Sequence, residues 1–429
     1  MNLTPLSYLF VALIALLGVI GEWSEAYAGW WRLGAVFWVG ALFYDWYQTR
    51  HLNLQAHLDQ EPTIHLGRYE SLVLTLSNQT HRPLTIEYAP GLPSPLNTDE
   101  TTAEIEIPAE SQHRLEIPVF SDALGSPIWS KLPARITGPL GLARIPFNPL
   151  EETQFTIVPD LIDNPMMLTG NNTSGRVTTQ SGSGQELHHI RDYVPGDPRH
   201  TIDWKATART QQLVTKVFST EQSLEIMLVL DIGRTSRTSI HGLPVCSHYI
   251  NLCSRFTQQA VSKGDRVGLI AASNSLPVVV PPQAGSDAVK QIRAGLTGLA
   301  PEQTETDMLR AALQLQHLVK HRCLIILLTD FYSQRLDGSF GQSLRLWNTR
   351  HLTMIVGLMD QALFDLMQKP AESGADPYLS LASREYINSV TNNAKAAGRL
   401  GAHPIITNPD HLENSVVTAY SLLKQQGRV

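Results

Sequence analysis

The segment Leu224-Glu-Ile-Met-Leu-Val-Leu-Asp231 is almost unbroken apolar sequence ending in a carboxylate, and Cys323-Leu-Ile-Ile-Leu-Leu-Thr-Asp330 repeats that pattern further along the chain. Apolar runs without alternation suit strands buried on both faces, as parallel strands are when helices cover them. Residues 266–271 (RVGLIA) and 352–358 (LTMIVGL) read as further strands, and 276–280 as an edge strand running into Pro281 and Pro282. Between them, 247–263, 287–299, 307–320, 386–399 and 412–425 read as helices, and 404–407 is strand-like. In 307–320 the stripe Met308, Ala312, Leu315 and Val319 has helical spacing. Alternating strands and helices predict a doubly wound, Rossmann-like α/β domain over residues 221–429. Ligands bind such sheets beyond the strand C-termini, which is where Asp231 and Asp330 should both lie.

The remainder of the chain is of a different kind. The 429 residues suffice for two or three domains. Residues 5–20 are nearly all apolar, and 28–44 form a second apolar run broken by Arg32. Trp23, Trp30, Trp31, Trp46 and Tyr47 lie near the run ends. The expectation is a transmembrane helical hairpin over 1–50. Glu22 and Glu25 in the connecting loop, with Arg50 and His51 after it, point to a two-pass protein of the cytoplasmic (inner) membrane with its other domains in the cytoplasm. Over 51–160 the period changes to two: Leu84, Ile86 and Tyr88, then Ile105 and Ile107, then Leu115, Ile117 and Val119 alternate with polar positions. Short alternating strands between turn clusters predict a β-sandwich-like domain.

A connector over 161–220 joins the two soluble parts. Its stretch 169–184 (TGNNTSGRVTTQSGSG) has too few apolar groups to pack and is expected to be a flexible loop. Then come Arg191, Tyr193, Pro195, Gly196, Asp197, Arg199, Asp203, Trp204 and Arg209, closely spaced charges and aromatics around a Pro-Gly-Asp-Pro turn. Two readings compete. Arg–carboxylate pairs could lock the turn. Alternatively Asp197, His200 and Asp203 could be the groups of a hydrolase. No Ser/His/Asp order or metal-ligand spacing supports catalysis, so a binding module is favoured over an enzyme. The net charge of −6 and the lack of a basic block argue against nucleic acid as a partner. Cys246, Cys253 and Cys323 form no CxxC pair, which argues against structural zinc.

A strand ending in Asp231, a hydroxyl-bearing loop, a Thr306–Asp307 pair opening a helix and a strand ending in Asp330 together resemble a von Willebrand factor A domain. Such domains hold a divalent cation with an Asp-x-Ser-x-Ser loop, a distant Thr and a distant Asp. The resemblance assigns Asp231, Thr235, Thr306 and Asp330 as ligands of Mg²⁺. Gly233 departs from the pattern, because one expected hydroxyl is missing there. Thr306 is preferred to Thr304 because it leads directly into the helix carrying Ala311, Ala312 and Leu313.

The 191–209 segment is more specific. With Pro139-Leu-Gly-Leu142 and Ile157-Val-Pro159, it resembles the signature of a bacterial and archaeal family catalogued as domain of unknown function number fifty-eight. That resemblance implies two N-terminal membrane helices, a β-rich domain and a von Willebrand factor A-like domain. It also implies a MoxR-type AAA+ ATPase as partner in the maturation of other, unidentified client proteins. An outward-facing adhesion module is the remaining alternative, and it would require the opposite topology.

Overall fold

The structure is a computed structural model. It describes residues 2–23, 29–50, 52, 54–59, 63–160, 181–182, 186–219, 223–332, 336, 338–368, 370, 372 and 374–426. The chain forms two compact units, Met1–Asp160 and Leu161–Val429.

In the first unit two antiparallel sheets carry the alternation seen in the sequence. One has the strand order Asn2–Leu3, Ala143–Phe147, Ala134–Thr137, Leu84–Tyr88, Ala103–Ile107. The other runs Leu54–Leu58, Tyr69–Asn78, Ser111–Ser121, Leu96–Asn97. Leu84, Ile86 and Tyr88 are buried, as are Leu72, Leu74 and Leu76 and, on the neighbouring strand, Leu115, Ile117 and Val119. Each strand therefore turns one face inward, as a period of two demands.

Two helices, Pro5–Trp23 and Trp30–Arg50, precede these sheets. They correct the membrane expectation. Among the described residues, no helix is long and apolar enough to cross a membrane. The apolar run over 5–20 rises about 24 Å at ~1.5 Å per residue, short of a hydrocarbon core of roughly 30 Å. The second helix carries Arg32, Asp45 and Arg50. Asp45 is buried, and its carboxylate accepts the Leu140 N–H at 2.8 Å and the Leu142 N–H at 3.0 Å. Thr4, just before the first helix, donates its hydroxyl to the Gly141 carbonyl at 2.6 Å, and Asn2–Leu3 pairs with Ala143 and Arg144. Both helices are thus tied to the 138–142 turn of the β unit. The two-pass hairpin is overturned, together with the inner-membrane placement and the cytoplasmic orientation that rested on it.

The second unit opens with an antiparallel pair, Glu186–Asp192 and Val214–Ser219, extended by Ser181–Gly182. Of the expected flexible loop, residues 169–180 and 183–184 lie outside the described residues. The main sheet comprises β1 (Glu225–Asp231), β2 (Arg266–Ala272), β3 (Val278–Gln283), β4 (Leu324–Leu328), β5 (Leu352–Leu358) and β6 (His403–Thr407), in the order 3-2-1-4-5-6. All neighbours are parallel except β2 and β3. β3 runs through Pro281 and Pro282, which the sequence reading placed after the strand. As an edge strand it tolerates missing N–H donors, and the pairing shifts register at that point.

Helices α1 (Val245–Ser262), α2 (Gly285–Leu296), α3 (Met308–Leu318), α4 (Ser339–Asn348), α5 (Ala362–Gln368), α6 (Asp376–Arg399) and α7 (Leu412–Gln425) surround the sheet. On one face Leu315, Leu344, Trp347 and Ala397 pack with Val229, Ile325, Leu327 and Ile355. The other face meets α1, α2 and α7, where Phe256 lies edge-on to Tyr420. α4 and α5 were not anticipated, and α6 starts ten residues before the helix read over 386–399. α4 is rich in Ser and Gly, and its fit to the core through Phe340, Leu344 and Trp347 outweighs weak local propensity.

Asp45→Ala should destabilise the first unit by about 2 kcal/mol, because two backbone donors lose a charged acceptor. A Cβ at Gly138 would overlap the Asp45 side chain, so Gly138→Ala should also lower the urea midpoint. Unchanged midpoints in both variants would refute this anchoring role.

Candidate functional site

The strand order reverses beside β1. The chain passes from β1 to β2 and β3 on one side, then returns to β4 on the other. The crevice at such a switch point, beyond the strand C-termini, is where open α/β sheets bind ligands. Asp231 ends β1, and Thr329 and Asp330 follow β4 directly.

Asp231 is buried. Its Oδ1 accepts the Gly233 N–H at 2.9 Å and the Thr306 hydroxyl, and its Oδ2 accepts the Thr329 hydroxyl at 2.6 Å. Its backbone carbonyl accepts the Ser236 hydroxyl at 2.6 Å. Burial raises the Asp231 carboxyl above its ordinary range, the three donors pull it down, and the nearby Asp330 carboxylate adds to the rise. Thr306 reaches the site because two loops are zipped together. Arg234 N–H donates to Thr304 O at 2.9 Å, and Glu302 N–H donates to Ile232 O at 2.7 Å. Asp307 then caps α3 by accepting from the Arg310 N–H at 3.2 Å. Thr304 thus supplies a backbone carbonyl to the loop pairing, while Thr306 supplies the hydroxyl.

Asp330 is half-buried and accepts the Tyr332 N–H at 2.9 Å. Tyr332 stacks on Tyr386 of α6 at 4.6 Å between ring centroids. Burial, and after it the Asp330 charge, raises the Tyr386 phenol. Behind them, fully buried Tyr249 donates towards Thr329 O at 3.2 Å and accepts the Leu358 N–H at 3.1 Å. This holds the ends of β4 and β5 together. Thr235 sits half-buried in the 3-10 turn Arg234–Arg237. The sequence reading missed Thr329 and Tyr249. The Thr immediately before Asp330 was a usable signal for Thr329, but nothing local marked Tyr249.

Gly233 fits the site for a steric reason. A Cβ there would overlap the Thr306 hydroxyl and crowd Thr304 O and Asp231 Oδ1. The hydroxyl expected from a Ser at this position has no room while Thr306 is bonded to Asp231. The remaining donors, Asp231, Thr306, Asp330 and Thr235, are hard oxygens of the kind Mg²⁺ takes, with water completing its shell. Two neighbouring carboxylates that each disfavour the other's charge fit a divalent cation. Among the described residues, no group of three or more His, Cys, Asp or Glu side chains could hold a metal, so any cation here depends on the hydroxyls.

The 191–209 segment is a separate constellation. Arg191 pairs with Asp197 at 2.8 Å, and Asp197 also accepts the Val194 N–H at 3.0 Å. These bonds close the turn through Pro195 and Gly196, the latter at φ 116°. Asp203 caps the helix Trp204–Thr210 by accepting the Lys205 and Ala206 N–H groups, and Lys216 lies 3.5 Å away. Tyr193 N–H donates to Leu213 O at 2.8 Å. Both carboxyls are lowered, Asp197 chiefly by Arg191 and Asp203 chiefly by the Ala206 N–H. Each is an ionised structural anchor. His200, Arg199, Trp204 and Arg209 are exposed.

Asp231→Asn should flatten the pH dependence of stability. A carboxyl raised on folding favours the folded state most below its unfolded value, and that contribution is lost as pH rises through the folded value. Urea midpoints from mildly acidic to neutral pH would show it; an equal slope in wild type and variant would refute it. Gly233→Ala should cost about 1–3 kcal/mol by overpacking, and Thr306→Ala in the same chain should return part of that loss. Thermal midpoints of the double-mutant cycle read this out.

Comparison with known proteins agrees with the signature and adds little about activity. Uncharacterized proteins of Mycobacterium tuberculosis and Mycobacterium bovis are each 24% identical over 204 residues, 45% of this chain. The chain spans 62% of the length of those relatives. Among solved structures, a region of Escherichia coli alpha-2-macroglobulin aligns with a TM-score of 0.21 and 20% identity, over 26% of this chain and 17% of that one. The CARDB domain of a Pyrococcus furiosus protein in complex with di-metal ions aligns with a TM-score of 0.18 and 7% identity, over 25% and 93%. At such scores neither likeness bears on the fold. Residues 189–369, from the charged connector through β5 and α5, match the model of the family described as "Protein of unknown function DUF58".

Proposed function

We propose that this protein is an interaction and assembly factor whose α/β domain, akin to a von Willebrand factor A domain, engages a partner at the Asp231–Asp330 end of its sheet. The partner class, implied by the family resemblance, is a MoxR-type AAA+ ATPase acting in the maturation of other proteins. The observation that carries the reading is the placement of Asp231, Thr306, Thr329 and Asp330 at the switch point of a 3-2-1-4-5-6 sheet. Strand ends at that point form a rigid rim on which a partner side chain can be received.

Asp231, Thr235, Thr306 and Asp330 are the groups that would hold Mg²⁺. Bound there, the ion supplies an open position for a carboxylate from the partner. The protein's own part is positioning. Gly233 and Thr306 hold the Asp231 carboxylate in one orientation, and Tyr249 holds the ends of β4 and β5 beneath Asp330.

Affinity capture of the tagged full-length chain from its native host should recover the ATPase. Asp330→Ala should reduce recovery at least tenfold, as should chelation of divalent ions. Recovery that survives chelation but falls on Asp330→Ala would remove the metal and keep the site. Recovery unchanged by Asp231→Ala and Asp330→Ala would sink the reading.

A further inference from the structure

The 190–213 segment of the signature is more than a lock between strands, because its charges are used asymmetrically. The acids turn inward: Asp197 is committed to Arg191 and the Val194 N–H, and Asp203 to the helix N–H groups and Lys216. The cations Arg199, Lys205 and Arg209 are exposed, and among the described residues none of them forms an ion pair. Lys205 and Arg209 stand four apart on the helix Trp204–Thr210 and so share a face. Asp192 is the one exposed carboxylate between 190 and 213.

Large apolar side chains stand beside these cations. Trp204 is 66% exposed and Val194 54% exposed, and Ile190 and Leu213 are also exposed. An indole held at the first position of a capped helix is costly to leave in water. It is also a pre-ordered anchor, since the Asp203 cap fixes the backbone that presents it. Trp and Arg together are the residues that dominate binding energy at protein interfaces. Three cations and one indole make too small a positive field for nucleic acid, which needs clustered phosphate contacts.

We infer that the surface formed by Trp204, Val194, Leu213, Arg199, Lys205 and Arg209 docks an acidic protein segment, one that sets carboxylates against the cations and an apolar side chain against the indole. The occupant follows from charge complementarity: Asp197 and Asp203 turn inward, Asp192 alone among the acids stays exposed, and among the described residues Arg199, Lys205 and Arg209 form no ion pair. This surface is independent of the Asp231 site and does not require the proposed ATPase.

The test is fluorescence anisotropy of the full-length protein with a labelled synthetic peptide of repeating Glu-Glu-Leu. Its Gln-Gln-Leu counterpart, a labelled oligo-thymidine and vesicles containing phosphatidylserine serve as comparison probes. The Glu peptide should bind saturably and weaken as salt rises. Affinity should fall about tenfold in Trp204→Ala and in Arg199→Glu/Arg209→Glu, recover in Trp204→Phe, and be unaffected by Asp231→Asn. These side chains are exposed, so an unchanged thermal midpoint confirms that the variants are folded. The inference is overturned by absence of Glu-peptide binding, by equal binding of the Gln peptide, or by variants that bind like wild type. It is equally overturned if the oligonucleotide or the vesicles bind in a Trp204-dependent way and the Glu peptide does not.

Discussion

The carboxylate of Asp231 is the point at which three remote stretches of the α/β domain meet. Gly233 on its own loop, Thr306 before α3 and Thr329 after β4 all donate to it. A buried carboxylate without such donors would cost several kcal/mol. The loops that supply the donors are therefore held to the sheet end by the same bonds that keep the charge tolerable. The residual rise of its carboxyl shows that burial still outweighs the donors. Asp231 thus combines burial with a second carboxylate, Asp330, at the switch point of the sheet, where open α/β sheets bind ligands.

Gly233 gains a physical meaning in this setting. Read against the Asp-x-Ser-x-Ser pattern it is a missing ligand. In the structure it is the residue whose lack of a Cβ lets Thr306 reach Asp231. Steric room in this loop has gone to the threonine, so one hydroxyl replaces another in contact with the carboxylate. Gly138 plays a similar part in the first unit, where only a glycine leaves space for Asp45 against the 138–142 turn. In both places a buried aspartate organises backbone N–H groups and a glycine allows the approach.

The two acids of the connector are spent within their own segment. Asp197, His200 and Asp203 are close in sequence, which left a hydrolytic cluster as the alternative to Arg–carboxylate pairs locking the turn. In space the aspartates face their own turn and helix, and their lowered carboxyls mark them as anchors. What they leave at the surface is the indole of Trp204 and the guanidinium groups of Arg199 and Arg209.

The strands β1, β2, β4 and β5 were legible from their apolar runs, and so was the meeting of Asp231 and Asp330 at one sheet end, because local period and run length decide those features. The alternation at Leu84–Tyr88 and Ser111–Ser121 was equally local. The apolar helices were legible as helices, but their reading as membrane spans was wrong. Hydropathy alone does not show that Asp45 is bonded to a turn some ninety-five residues away. α4 was hidden because its Ser- and Gly-containing sequence is a weak helix former held by contact with the core. Thr329 and Tyr249 became part of the site only when β4 and β5 were laid beside β1. Local pattern alone marked the apolar strands and the carboxylates at their ends. Strand order decided which hydroxyls reach those carboxylates, since hydrogen bonds between distant residues depend on how the sheet is assembled and not on any local pattern.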